Sequence, residues 1–106
     1  MVIVTRTITV TSAPVRVTAT DVYTPCCKLM AQMVEGGSGR GWIGTSVLTD
    51  AGVNAIATLD AANGATVPGA SFSIEDQFGV NSLDANQYYV HGATAGDKIV
   101  VTYHQA

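Results

Sequence analysis

Short runs in which two kinds of residue strictly alternate recur along this chain, and they constrain its fold more than any other feature. Val2, Val4, Ile8 and Val10 alternate with Ile3, Thr5, Thr7 and Thr9. Phe72 and Ile74 alternate with Ser71, Ser73 and Glu75, and Ile99, Val101 and Tyr103 with Lys98, Thr102 and His104. A period of two puts one set on a buried face and the other toward solvent or a partner. Most of these residues are Val, Ile or Thr, whose branching at Cβ favours strand over helix. Arg6 interrupts the apolar face of the first run.

Turn signals separate the runs. Ser12, Ala13 and Pro14 mark a bend, and Val15–Thr20 resumes as an edge strand, where a missing backbone donor is tolerated. Thr24 and Pro25 open a core strand with Cys27, Leu29, Ala31 and Met33 on one face and Lys28, Met30 and Gln32 on the other. Gly36–Gly41 is a flexible connection to a short strand at Trp42 and Ile43. Gly92 and the Gly96–Asp97 pair bracket a tight connection, which predicts an antiparallel hairpin between Tyr88–His91 and the last strand. Residues 49–63 read two ways. Asp50 could cap a helix with Val53, Ile56 and Leu59 on one face and Asn63–Gly64 as its stop. Equally, Val53, Ala55, Ala57 and Leu59 alternate as a strand would. Seven or eight strands with a turn between each fit an all-β fold, a single antiparallel β-sandwich over residues 1–106.

Composition narrows the function. Hydrophobic residues make up 47% of the 106 positions and charged residues 12%, about half the usual ~25% charged share. That balance argues against disorder. It also leaves little charge to keep an isolated copy in solution, so another chain is expected to cover some apolar surface. A net charge of −3 with five scattered basic residues gives no basic stripe for phosphates, so no nucleic-acid partner is expected. No apolar run reaches the ~20 residues that span a bilayer, so no membrane partner is expected either. The first residues lack the pattern of a signal peptide, which makes synthesis in the cytosol the expectation. Adjacent Cys26 and Cys27 could close only a strained, useless loop, and both are read as reduced thiols.

The residues that carry chemistry elsewhere form no familiar set. Gly36–Gly41 lacks the Lys and Ser or Thr that complete a phosphate loop. Cys26, Cys27, His91 and His104 do not have zinc-ligand spacing, because neighbouring strand residues point to opposite faces. Glu75, Asp76 and Asp84 flank a loop but do not supply the closely spaced oxygens of a calcium site. No serine sits in a nucleophile elbow. No catalytic, cofactor-binding or metal residue is therefore assigned, and no cofactor is expected. Trp42, Tyr88, Tyr89 and Tyr103 could stack on sugars, but Tyr88 and Tyr89 should face opposite ways.

The order of Val67–Ile74, Leu83–Val90 and Gly96–Tyr103 resembles the small capsid decoration (cement) proteins of tailed bacteriophages. Thr7–Val15, Cys27–Gln32 and Gly41–Val47 follow the same order upstream, so the resemblance covers nearly the whole chain. It rests on the order and length of strand-like pieces. It implies a jelly-roll-like sandwich with an extended or looped segment at 49–63. It also implies a non-enzymatic virion protein on the outer surface of a phage head, made in the host cytoplasm. The partners would be the major capsid protein and the chain itself, in a closed oligomer for which trimer and dimer both fit and the homotrimer is favoured narrowly over the homodimer. The alternative is a carbohydrate-binding module of a phage fibre or bacterial surface protein.

A lone arginine is rarely left unpaired inside a small core. The expectation from Arg6 is therefore that Ile8 and Val10 enter the sandwich while residues 1–6 form an arm beyond the sheet edge. Val2, Ile3, Val4 and Arg6 are then the candidate interface, with the Arg6 charge meeting a carboxylate of the partner. A frayed terminus is the other reading.

Overall fold

The alternating runs become strands paired along almost their full length. A computed structural model describes residues 1–34, 39–49, 51–60 and 70–106. Among them run β1 (Val2–Thr9), β2 (Val15–Arg16), β3 (Pro25–Cys26), β4 (Lys28–Met33) and β5 (Arg40–Gly44). These are followed by β6 (Ala55–Asp60), β7 (Ser71–Glu75), β8 (Leu83–Asp84), a 3-10 turn at Ala85–Gln87, β9 (Tyr89–Gly92) and β10 (Lys98–Gln105). The fold is all-β, and every strand pair is antiparallel.

The pairing has a simple logic. β1 pairs with β10, β2 with β9, β3 with β8, β4 with β7 and β5 with β6. The chain is thus one long antiparallel ribbon, folded back at the β5–β6 connection. The ribbon is rolled so that β10 also pairs with β4 and β9 with β5. Two four-stranded sheets result, ordered β1-β10-β4-β7 and β2-β9-β5-β6, with β3–β8 as a small third pair.

The core lies between the sheets. Ile8, Leu29, Ala31, Met33, Ile99, Val101 and Tyr103 reach it from the first sheet, and Ile43, Leu59 and Val90 from the second. Phe72 and Ile74 turn to the inward face that the alternation predicts but are only half-buried against the core, because β7 is an outer strand. Gly41 and Gly92 sit opposite each other on the inner face. A side chain at Gly92 would press to 2.8 Å from Val10, so glycine lets the sheets close at that end.

Two expectations change, and one left open is resolved. β9 does not form a hairpin with β10, because it lies in the other sheet between β2 and β5. Residues 93–97 therefore cross from sheet to sheet, with the Gly96 N–H donating to Val10 O at 3.0 Å. The reason is that Val90 and Ile99 must both face inward, and opposite sheets satisfy this as well as adjacent strands do. Val15–Thr20 holds only a two-residue strand, since the chain turns away at Val17 to build a loop. The strand reading of 49–63 holds for Ala55–Asp60, whereas Asp50 and the Asn63–Gly64 stop lie outside the described residues. So do Gly36, Gly37 and Ser38 of the glycine-rich connection; Gly41 belongs to β5.

The N-terminal residues also differ from an arm. Val2–Thr5 pair residue by residue with Gln105–Thr102, so β1 is an in-sheet edge strand to its first residue. The cost of an unpaired inner arginine is avoided inside the chain. Arg6 Nη1 donates to Arg16 O at 3.0 Å and to Val17 O at 2.7 Å. Continued pairing would give Val17 O the Tyr88 N–H, but that donor goes to Ala85 O in the 3-10 turn. Arg6 thus satisfies carbonyls left over where β2 ends.

Candidate interaction surface

The register assigns the connections among the described residues to one of two ends. Val10, Val34, Gly39, Arg40 and residues 93–97 meet at one end, joined by bonds such as Ala93 N to Arg40 O at 2.8 Å and Val34 N to Lys98 O at 2.9 Å. The opposite end collects the start of β1, the finish of β10, the β3–β8 pair and the loop residues 17–24, 45–49, 51–54 and 76–82. Two bonds between Asn81 and Ala106, at 2.9 and 3.2 Å, tie the last of these loops to the finish of β10.

That second end is the apolar one. Met1, Val2, Ile3, Val22, Tyr23, Val47, Val53, Phe78 and Val80 are exposed there. Among the described residues only Val34 and Ile56 are exposed large apolar residues placed elsewhere. Single exposed apolar residues need no explanation, but their concentration on one end of a small domain does. Phe78 at 79% and Tyr23 at 68% exposure are the most prominent aromatic members.

The loops that carry them are built rigidly from polar groups. Buried Asn86 is the hub of the 17–24 loop. Its Oδ1 accepts from Arg16 Nη1 at 2.6 Å and from Thr18 Oγ1 at 3.4 Å, and its Nδ2 donates to Asp21 Oδ1 at 3.0 Å. Its backbone carbonyl accepts a second bond from Arg16 at 2.8 Å. The Arg16 guanidinium also lies 4.9 Å from the centre of the Tyr89 ring, a cation–π geometry. Asp84 Oδ1 accepts the amides of Thr24 and Asn86 at 2.9 and 3.0 Å. Burial pushes the Asp84 carboxyl up, but these two amides, the Gln87 side chain and the Arg16 charge outweigh it and hold the pKa below the ordinary value.

Asp76 organises the 76–82 loop in the same manner. Its carboxylate accepts from Ser82 Oγ at 2.6 Å, Phe78 N at 2.8 Å and Val80 N at 3.4 Å. The Ser82 hydroxyl first, then the Phe78 and Val80 amides, lower its pKa despite some opposing desolvation. Gly79 completes the turn at φ +70°, a conformation in which glycine carries no Cβ strain. Phe78 and Val80 are therefore presented outward on a loop fixed from within.

Of the candidate interface residues, Val2 and Ile3 are exposed, Val4 is half-buried against the core, and Arg6 is half-buried on its carbonyl partners. Sequence reasoning missed Val22, Tyr23, Phe78 and Val80. Their signal was present as apolar residues inside turn-rich loops, where burial has no use for them. The residues weighed for chemistry do not gather: among the described residues, no group of three or more His, Cys, Asp or Glu could hold a metal. Cys26 and Cys27 are both buried. Burial pushes the Cys26 thiol up, nearby Cys27 and Asp84 add to this, and the Ala85 backbone opposes it, so Cys26 stays a protonated thiol near neutrality. Burial, then Cys26, likewise raises the Tyr88 hydroxyl. Tyr88 packs on the core while Tyr89 faces out under Arg16, and Tyr103 is buried. Trp42 lies 6.1 Å from the buried His91 ring, and a side chain at Gly52 would collide with its indole.

Comparison of the chain with protein-family models, with curated proteins and with solved structures returns no match.

Proposed function

We propose that this protein is a non-enzymatic virion protein that binds the outer surface of a phage head and stabilises contacts between major capsid protein subunits. The observation that carries this reading is the apolar end, with Val22, Tyr23, Phe78 and Val80 held outward on loops braced by Asn86 and Asp76. A preformed end with exposed apolar side chains suits docking onto a flat protein shell, because little ordering entropy is lost when it binds. Repeated copies on one shell add avidity to modest single contacts. We read the rolled-ribbon strand order as the jelly-roll arrangement that the resemblance implies. The resemblance to decoration proteins supplies the identity of the partner.

The test is co-sedimentation with heads assembled without the protein. Replacing Tyr23 and Phe78 together by serine removes two exposed rings and leaves the core untouched, so the fold should keep its melting temperature within a few degrees. Wild-type protein should pellet with heads and raise the temperature at which they release DNA, and the double variant should do neither. Equal binding by both proteins would sink the assignment of the apolar end. Binding of wild type to a soluble glycan but not to heads would favour the carbohydrate-binding alternative.

A further inference from the structure

β1 is an outer strand of its sheet, and no described strand pairs with its far side. The Val10 N–H donates to Asp97 O at 2.8 Å and Val10 O accepts from Gly96 at 3.0 Å, so both Val10 groups turn toward β10. Backbone groups alternate in direction along a strand. Val2, Val4, Arg6 and Ile8 therefore also turn toward β10, while Ile3, Thr5, Thr7 and Thr9 aim their N–H and C=O groups away from it. Lys98 fixes the same parity from the other side, because its carbonyl accepts from Val34 next to β4.

Natural sheets blunt such edges with short strands, proline, charge or bulges. β2 is only two residues long and follows Pro14, and β7 ends in Glu75. β1 has eight paired residues, no proline and no bulge. Its one charge, Arg6, is turned inward onto carbonyls. The outward-aimed residues are neutral and β-branched, so identical edges approach each other without like-charge repulsion.

We propose that two copies of this chain pair edge to edge through β1, antiparallel about a two-fold axis at Thr5. In this register Thr5 faces the partner's Thr5 and Ile3 faces the partner's Thr7, and these pairs exchange hydrogen bonds. Arg6 lies opposite the partner's Val4. An axis at Arg6 would instead oppose two arginines, and an axis at Thr7 would leave exposed Val2 and Ile3 beyond the pairing. With the axis at Thr5, Val2 and Ile3 are covered by the partner's Ile8 and Thr7. The sheets join into one of eight strands, and the isologous contact closes as a dimer, the less favoured of the two oligomers that fit the sequence. This inference does not depend on the decoration role.

Light scattering on the full chain, over a wide concentration range, tests the pairing. Wild type should reach twice the monomer mass. Thr5→Pro should halve that mass and keep the fold, because the N–H it removes has no partner within the chain. A second set of variants fixes the register and does not rely on proline being tolerated. Across the axis, Cα atoms of a hydrogen-bonded pair lie about 5.5 Å apart, within disulfide reach. Oxidised Thr5→Cys should therefore form a covalent dimer, and Thr7→Cys and Thr9→Cys should not. The native cysteines are buried and do not compete. A monomeric wild type overturns the proposal, as does preferential or equal crosslinking at Thr7→Cys or Thr9→Cys.

Discussion

Replacing Asn86 by alanine should be among the most damaging single changes outside the hydrophobic core. The side chain is buried and every polar atom on it is used. The largest loss is the 2.6 Å bond from the Arg16 guanidinium; a hydrogen bond to a charged group contributes about 1.5–3 kcal/mol. Arg16 keeps the Asn86 carbonyl and Asp21, which lowers that loss. Thr18 keeps its 2.8 Å bond to Thr20 O, and Asp21 is well exposed, so these two partners add little. The sum is about 2–3 kcal/mol, or about 10–20 °C in melting temperature for a domain of this size. Calorimetry measures the melting change, and amide exchange locates it. Exchange should accelerate at Val22, Thr24 and Ala85, whose N–H groups are bonded within this corner. A melting change under about 3 °C would refute the reasoning. So would a large change with exchange at those amides unaltered, since the damage would then lie elsewhere.

Phe72→Ala should cost about 1.5–2.5 kcal/mol in a denaturant titration, roughly half the value for a fully buried phenylalanine, because Phe72 is half-buried on an outer strand. No measurable change would mean that Phe72 does not pack on the core. Asp84→Asn should destabilise at neutral pH, with a sign that follows from the carboxyl's lowered pKa. A depressed folded-state pKa stabilises fully above the unfolded value of about 3.9, and that contribution is lost as pH falls through the folded value. The melting-temperature gap between wild type and variant should therefore be constant from pH 7 to about pH 5 and close below about pH 4. A gap independent of pH would mean that the carboxyl acts only as a neutral acceptor.

Most of the sheet structure was legible because alternation reports directly on which face a residue takes. The faces of β1, β4, β7 and β10 follow from the alternation of apolar with polar residues. Which strands pair was less legible. Val90 and Ile99 both face inward whether β9 and β10 are neighbours or lie in opposite sheets, so the pattern cannot distinguish a hairpin from a crossover. Arg6 misled for a related reason. Sequence shows a charge on an apolar face, but not that the 3-10 turn at Ala85 takes the Tyr88 N–H and leaves the Val17 carbonyl for the guanidinium. The apolar end was hidden because it is assembled from loops distant in sequence. Tyr23 and Phe78 share an end only once β3 pairs with β8.

The apolar end and the free edge of β1 meet at one corner, where Val2 and Ile3 belong to both. This overlap restricts how the two surfaces can be used. Pairing through β1 covers Val2 and Ile3 but does not involve Tyr23 or Phe78, which stand on loops outside that strand. A dimer would therefore keep the aromatic part of each end for a second partner. Its two-fold axis would set the two ends in a fixed relation, so that one dimer meets a partner surface at two equivalent places. Two-point attachment raises avidity only when the spacing of sites on the partner matches. Val2→Ser should consequently weaken edge pairing and leave a single copy's contact through Tyr23 and Phe78 intact. The Tyr23 and Phe78 double variant should do the reverse, leaving the pairing intact.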